Sequence, residues 1–149
     1  MPPRVEPVPE GFHTLTPYLI ADDAQAVIDF LQKAFGATPV HRPTKRPDGK
    51  IMHATLQIGD ARVMIGNSSE HAKAAPAMLY VYVANVDEVY ATAVKAGGTS
   101  FMAPTDMFYG DRFGGVTDSA GNQWCIGTHI EDVAEDELQK RADKMWGKG

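Results

Sequence analysis

The chain has 149 residues, a net charge of −5, 44% apolar residues and 22% charged residues. This length and apolar fraction suit one globular domain or two small fused halves, and they argue against a disordered chain. No Lys/Arg run is visible, which argues against a nucleic-acid partner because such a partner requires a basic face. The single cysteine, Cys125, excludes a disulfide framework within the chain and is typical of a reducing cytoplasm.

The N-terminal residues Met1–Gly11 are rich in Pro and Glu and lack the apolar region of a signal peptide. No apolar run approaches the roughly 20 residues that a membrane-spanning helix needs. We therefore expect a cytoplasmic protein without a membrane partner, in which residues 1–13 form a leader.

The first half of the chain predicts a strand, a helix and then a hairpin. Pro17 interrupts the first strand candidate and is typical of an edge strand, since it has no N–H group. Asp22 or Asp23 is a suitable helix N-cap, and Gly36 is a suitable left-handed helix end. The predicted elements are a strand at Thr14–Ile20, a helix with an apolar stripe of Ala26, Val27, Phe30, Leu31 and Ala34, a polar segment at Thr38–Lys50, and strands at Ile51–Ile58 and Ala61–Ile65 joined by Gly59-Asp60.

The second half of the chain repeats this order. The predicted elements are a strand at Met78–Val83, a helix at Val86–Ala96 ended by Gly97-Gly98, the start of a strand at Thr99–Phe101, a glycine-rich segment at Tyr109–Gly115, strands at Val116-Thr117 and Gln123–Gly127, and a charged helix at Glu131–Met145.

An internal repeat relates the two halves. A shift of about 62 residues places the first half on the second. Equivalent pairs include Tyr18 and Tyr80, Gly36 and Gly98, and, after one residue of drift, Gly66 and Gly127. A single βαβββ unit would leave one sheet face bare, so the repeat predicts two packed modules. We expect an α+β fold with modules at residues 14–70 and 77–130, one domain over residues 14–130, and a C-terminal helix and tail at residues 131–149.

Four segments carry a family resemblance: TPYLIADDAQAVIDFLQKAFGA, HATLQIGDARVMIG, LYVYVANVDEVYATAVKAGG and FYGDRFGGVTDSAGNQWCIGTHIEDV. Together they resemble the vicinal oxygen chelate superfamily, which includes glyoxalases and bleomycin-resistance proteins. The FYGDRFG and THIEDV segments are similar to its PhnB-like branch, some members of which are labelled methyltransferase-like. No methyl-donor pattern accompanies them here. The resemblance implies a curved mixed sheet of two βαβββ modules around a cavity, and a homodimer.

The resemblance also implies where a metal would be held. Metal-using members place His, Gln or Glu at four positions, which fall here, by the alignment and the repeat, on Thr16, Met64, Met78 and Cys125. A hydroxyl and two thioethers are poor ligands for Zn²⁺, Ni²⁺ or Fe²⁺, and one thiolate does not make a site. We therefore predict no cofactor. The alternative is a divalent metal held by other residues, with His13, His53 and His129 as candidates.

A cavity without a metal would bind an organic molecule. Alternate strand residues share one face, so Tyr18, Tyr80 and Tyr82 would join the two methionines and Cys125. Such walls suit a flat or apolar ligand, although the same residues also suit simple core filling.

The segment around Asp111 and Arg112 is the second candidate. Arg112 could bind a carboxylate or phosphonate, with Asp111 orienting it or acting as a base. The alternative is a local Asp–Arg turn that only shapes the loop. The predicted ligand-binding residues are Thr16, Tyr18, Met64, Met78, Tyr80, Tyr109, Asp111, Arg112 and Cys125.

Three functions follow as hypotheses. The first is a metal-independent protein that binds a small organic molecule. The second is a lyase or isomerase, metal-assisted through His13 and His53 or using Asp111. The third is an interaction module acting through the helix at Glu131–Met145. A fold of this kind carries many functions and does not separate them.

Overall fold

The computed structural model describes residues 4–147. The chain forms two compact units, and the division falls between Ala77 and Met78. Each unit contains one mixed β-sheet with a helix packed against one of its faces. The α+β fold predicted from the sequence is confirmed.

The first unit is built around a parallel pair of strands. Strand β1 pairs in parallel with β5, and the other strands are antiparallel, in the order β1-β5-β4-β2 with β3 also on β4. Parallel neighbours require a crossover, and helix α1 lies in it. The elements are β1 Tyr18–Ala21, α1 Ala24–Phe35, β2 Thr38–Pro39, β3 Thr44–Lys45, β4 Ile51–Ile58 and β5 Ala61–Asn67.

Helix α1 begins and ends where the sequence predicts. The Asp23 carboxylate accepts a hydrogen bond from the Ala26 amide, and Gly36 ends the helix with a φ of 67°. Its buried side packs over the face of the sheet that holds Leu19 and Ile65. The buried helix residues are Ala24, Val27, Ile28, Phe30, Leu31 and Ala34.

The second unit repeats the topology of the first. Strand β6 pairs in parallel with β9, and the order is β6-β9-β8-β7. Helix α2 crosses over within this unit, and the Asn85 side chain caps it by accepting a hydrogen bond from the Glu88 amide. The elements are β6 Met78–Tyr82, α2 Val86–Lys95, β7 Thr99–Asp106, β8 Asp111–Thr117, β9 Gln123–His129 and α3 Glu135–Met145.

Two adjacent glycines of β8 identify the two faces of the second sheet. A Cβ atom at Gly114 would lie 3.1 Å from the Tyr90 ring of α2, so this side is the helix face. A Cβ atom at Gly115 would instead collide with the ring of Phe101 on the other side. Gly115 pairs with Cys125 in register, so Cys125 belongs to the face away from α2.

The C-terminal segment is tied to the turn between β7 and β8. The Gly110 carbonyl accepts hydrogen bonds from the amides of Ile130 and Glu131. Arg141 of α3 donates to the Phe108 carbonyl at 3.0 Å and forms a two-pronged ion pair with Glu131. The turn that carries Tyr109 is therefore held from the C-terminal side.

Three predicted boundaries are wrong. Strand β1 begins at Tyr18 and not at Thr14, because Pro17 has no N–H group for the ladder and contributes only its carbonyl, to the Met64 amide. Strand β8 begins at Asp111, inside the segment read as a glycine-rich loop. Helix α3 begins at Glu135 and not at Glu131.

Within residues 4–147, no helix is both long enough and apolar enough to cross a membrane.

Candidate functional site: a buried carboxylate beneath exposed tyrosines

Each unit places a tyrosine over a glycine of the neighbouring strand. Tyr18 pairs in register with Met64, and Tyr80 pairs with Cys125. A Cβ atom at Gly127 would lie 2.6 Å from the Tyr80 ring, and one at Gly66 would lie 3.3 Å from the Tyr18 hydroxyl. The equivalence of Tyr18 and Tyr80 inferred from the repeat is therefore reproduced in the pairing.

Asp111 forms the centre of a polar cluster in the second unit. Its residue is only 2% exposed. Its Oδ2 accepts hydrogen bonds from the hydroxyls of Tyr80 and Tyr82, both at 2.8 Å, and its Oδ1 accepts one from His129 Nδ1 at 2.9 Å. Burial alone would raise the pKa of Asp111, but these three hydrogen bonds outweigh burial and hold the pKa below its ordinary value. Asp111 is thus an ionised anchor, and it is too enclosed to act as a base towards a ligand.

The two tyrosines are held as hydrogen-bond donors to this carboxylate. Burial, then hydrogen bonds with Tyr109 and Asp111, raise the pKa of Tyr80 far above its ordinary value. The hydrogen bond to Asp111 is the main cause that raises the pKa of Tyr82. Because the Tyr80 hydrogen is directed at Asp111, Tyr109 donates in the 3.3 Å contact between the two hydroxyls.

His129 lies between two carboxylates. Its Nδ1 faces Asp111, and its Nε2 is 2.7 Å from Asp132, whose side chain is fully exposed. Hydrogen bonds first with Asp132 and then with Asp111 raise the pKa of His129. The imidazole is therefore fixed in orientation by a buried partner and reaches solvent on its other side.

A row of aromatic rings extends from this cluster across the sheet. Ring centroids are 5.0 Å apart for Tyr82 and Tyr80, 5.8 Å for Tyr80 and Phe113, and 6.3 Å for Phe113 and Phe101. Tyr82 is 64% exposed and Phe101 is 41% exposed. We call this surface the Tyr80 face; it comprises Tyr80, Tyr82, Phe101, Asp111, Phe113 and His129.

Arg112 lies on the opposite face of the sheet from Asp111. It donates to both carboxylate oxygens of Asp87 in α2, at 3.0 and 3.1 Å, and to Asp106 in β7 at 2.9 Å. The hypothesis that Asp111 orients Arg112 is wrong, because neighbouring residues of a strand point to opposite faces. Both carboxylates already pair with the guanidinium, so these contacts do not favour Arg112 as an anion receptor.

The equivalent site of the first unit has different chemistry. The Tyr18 hydroxyl is 3.0 Å from His53 Nδ1, and His53 Nε2 is 3.0 Å from the hydroxyl of the buried Thr55. His41 stacks on His53 with ring centroids 5.7 Å apart. Burial, then the proximity of His41, lowers the pKa of His53. This site therefore favours a neutral imidazole.

The donor chemistry does not fit a metal of the family type. Thr16 precedes β1, Met64 and Met78 offer only thioethers, and burial raises the pKa of the Cys125 thiol. Across residues 4–147, no group of three or more His, Cys, Asp or Glu side chains is placed to hold an ion. The alternative based on His13 and His53 gains no support, because His13 contacts the Asp60 carbonyl while both nitrogens of His53 already have partners.

Sequence reasoning missed part of the Tyr80 face. It passed over Phe101 and Phe113, and it treated His129 as a candidate metal ligand or as an isolated surface residue. Alternation from Asp111 to Phe113 would have placed those two together had β8 been recognised as a strand. The Asp111–His129 pairing depends on strand register, for which the sequence carries no local signal.

Comparison with known proteins agrees with this architecture. A sequence profile of the Glyoxalase/Bleomycin resistance protein/Dioxygenase superfamily matches residues 11–126. The chain is 35% identical over 136 residues to the uncharacterized protein Mb0911c of Mycobacterium bovis, covering 84% of this chain and 89% of that protein. It has the same identity to the uncharacterized protein Rv0887c of Mycobacterium tuberculosis, covering 79% of that protein.

Solved structures show the same fold. The chain is similar to TioX from Micromonospora sp. ML1, with a TM-score of 0.66 and 25% identity over 79% of this chain and 99% of TioX. It also matches a glyoxalase/bleomycin resistance protein/dioxygenase from Nocardioides, with a TM-score of 0.62 and 15% identity over 83% of this chain and 87% of that one. With the paired modules and the family profile, these matches establish that the chain belongs to the Glyoxalase/Bleomycin resistance protein/Dioxygenase superfamily.

Proposed function

We propose that this protein binds a flat organic molecule against the Tyr80 face, without a metal. The observation that supports it best is the buried Asp111 carboxylate, which holds two exposed tyrosines in fixed orientations. Buried carboxylates are costly unless they are fully hydrogen-bonded, so such an arrangement is typical of a site whose geometry matters.

The aromatic row supports a flat ligand. Exposed aromatic surface beside oriented polar groups is typical of ligand sites, because rings stack on rings and the polar groups set the orientation. Tyr80, Tyr82 and Phe101 supply exposed ring surface, and Phe113 supports them from below. Met78 lies on the same side of β6 as Tyr80 and is also exposed, so it extends the apolar surface.

The direct test is ligand-observed NMR with a panel of flat aromatic compounds of positive, neutral and negative charge. We expect at least one compound to bind, and its affinity to fall about tenfold or more in Tyr80→Leu, since a stacked ring contributes about 1 kcal/mol beyond its buried area. Tyr90→Phe is the matched control, because Tyr90 lies on the helix face and bonds Ser100. Thermal unfolding of each variant checks that it is folded.

Two outcomes would overturn this proposal. One is the absence of any binding compound at millimolar concentration. The other is a set of hits that all survive both Tyr80→Leu and Tyr82→Ala in folded protein. Metal independence is tested separately: binding should be unchanged after dialysis against EDTA, and elemental analysis should find no stoichiometric metal.

A second candidate function is a lyase or isomerase in which His129 transfers a proton. The buried Asp111 orients the imidazole, as an orienting carboxylate does for a catalytic base. Incubation of a bound compound with the wild type and with His129→Gln separates the two functions. The binding proposal expects the compound to be recovered unchanged from both, whereas product formed only by the wild type would favour the enzyme.

Further expectations from the family resemblance are also proposals. We propose a homodimer, assignment to the PhnB-like branch and a cytoplasmic location. Light scattering coupled to size-exclusion chromatography tests the first, with a mass of twice 16.2 kDa expected.

A further inference from the structure

We infer that the Tyr80 face selects flat molecules that carry a positive charge or N–H donors, and rejects their carboxylate analogues. This inference rests on the proposed function, since it names the class of ligand that the same face would take. It reverses the preference for anions that Arg112 suggested in the sequence.

The first argument is the direction of the hydrogen bonds. Both phenolic hydrogens of Tyr80 and Tyr82 are directed at Asp111. A phenolic oxygen has one hydrogen and two lone pairs, so towards a ligand these hydroxyls can only accept. The Tyr82 oxygen has this capacity on a side chain that is largely exposed. A ligand carboxylate would find acceptors facing acceptors.

The second argument is the lack of a cation on the face. The four strands of the second sheet contain one Lys or Arg residue, Arg112. It points to the helix face and is shared by Asp87 and Asp106. The strands therefore offer an anionic ligand no positive side chain with which to pair.

The third argument is the distribution of charge along the chain. Residues 78–149 contain eleven Asp or Glu and six Lys or Arg, which accounts for the whole net charge of −5; the preceding residues are balanced at eight of each. Next to the face, Asp111 and Asp132 together outweigh His129 by one negative charge even when the imidazole is protonated. A negative potential of this kind attracts cations and repels anions.

The fourth argument is the aromatic row itself. A cation over the face of a tyrosine or phenylalanine ring is stabilised by the ring quadrupole. Tyr80 and Tyr82 lie 5.0 Å apart at a 44° tilt, and both are exposed. A flat cation therefore gains stacking and charge attraction from the same rings.

The test uses three indoles that differ only in their terminal group. Tryptamine is a cation at neutral pH, indole-3-propionate is an anion, and tryptophol is neutral, while all three share the ring and a two-carbon chain. Calorimetry or ligand-observed NMR at low salt should find tryptamine binding about tenfold more tightly than indole-3-propionate, with tryptophol between them. Added salt should narrow the gap, because it screens charge.

Two variants locate the preference on this face. Asp132→Asn removes an exposed carboxylate without disturbing the buried cluster, and Tyr82→Phe removes an acceptor while keeping the ring. Each should reduce the ratio of tryptamine to indole-3-propionate affinity by about threefold, since each removes one exposed polar interaction. Tyr90→Phe on the helix face should leave the ratio unchanged.

The outcomes separate this inference from the function on which it rests. If tryptophol binds while tryptamine and indole-3-propionate bind equally, or the anion binds better, the inference is overturned and the proposed function stands. If none of the three binds to folded wild-type protein at millimolar concentration, the inference is overturned together with its application of the proposed function to indoles. If the ratio is unchanged in both variants, the preference does not arise at this face and the inference is again overturned.

Discussion

The Tyr18 and Tyr80 sites share one scaffold and differ in the group beneath the tyrosine hydroxyl. In both, the ring lies across a glycine of the neighbouring strand, Gly66 or Gly127. In the first unit the hydroxyl meets His53, whose lowered pKa favours the neutral form. In the second unit it meets Asp111, whose lowered pKa favours the charged form.

This difference teaches that packing and charge vary separately in a duplicated fold. The contact of ring on glycine is set by the close approach of two strands and is found in both units. The polar partner comes from a different strand, β4 in one unit and β8 in the other, so it can change without altering that contact. Ligand chemistry therefore follows the partner strand more than the tyrosine.

The largest effect that would test the comparison is loss of the buried carboxylate. We expect Asp111→Ala to lower the free energy of unfolding by about 3 kcal/mol, because three donors lose a buried charged acceptor. His53→Ala should lower it by only about 1 kcal/mol, since its partners keep access to other groups or water. Urea denaturation measures both. An equal or larger loss in His53→Ala would show that the two sites are not energetically distinct.

The glycines give the next largest effect. We expect Gly66→Ala to lower the free energy of unfolding by about 2 kcal/mol, because its Cβ would lie 2.8 Å from the Met52 carbonyl oxygen, and backbone yields poorly. Gly127→Ala should cost about 1 kcal/mol, since it collides with the Tyr80 ring, which can rotate. That rotation should abolish tryptamine binding. Chemical denaturation and calorimetry would detect the reverse order if the rings were not in these places.

The first unit illustrates what the sequence predicts well. Asp23, the apolar stripe of α1 and Gly36 are local signals, and each fixes backbone geometry within a few residues. The hairpin at Gly59-Asp60 is another, and both strands were found. The start of β1 was placed four residues early, because its apolar pattern continued through Pro17, where the ladder cannot.

The site was harder to predict because it depends on contacts between distant segments. Tyr80 and Asp111 were both identified, but the sequence joined Asp111 to its neighbour Arg112 instead. Glycines in Gly114-Gly115 were read as loop signals, although they lie within β8 where Tyr90 and Phe101 occupy their side-chain space. Strand register, and not composition, brings Asp111 to Tyr80 and His129.

Arg112 provides a smaller effect with a clear sign. Arg112→Gln should lower the thermal midpoint of unfolding, because Asp87 and Asp106 lose their shared partner. It should leave the affinity for tryptamine within about twofold, since the side chain lies on the opposite face. Differential scanning fluorimetry and calorimetry on one sample measure both. A fall in affinity with no change in midpoint would return Arg112 to the ligand site.

The smallest effect is the opposite titration of the two histidines. NMR should find the pKa of His53 below the ordinary 6.5 and that of His129 above it. The contribution of His129 to stability is present below pH 6.5 and is lost as the pH rises through its folded pKa. The contribution of His53 is present above pH 6.5 and is lost as the pH falls towards its folded pKa. His129→Gln and His53→Gln should each flatten one side of the stability profile, and a shared direction of titration would contradict the comparison.

The burial of Cys125 in the central strand β9 gives the protein a natural reporter of its own opening. This thiol is the only one in the chain, is 4% exposed, and has its pKa raised by burial. Alkylating reagents react with a solvent-exposed thiolate, so modification in the native protein must wait until β9 separates from β6 or β8. The alkylation rate followed by mass spectrometry thus measures how often the second sheet opens, with no engineered label.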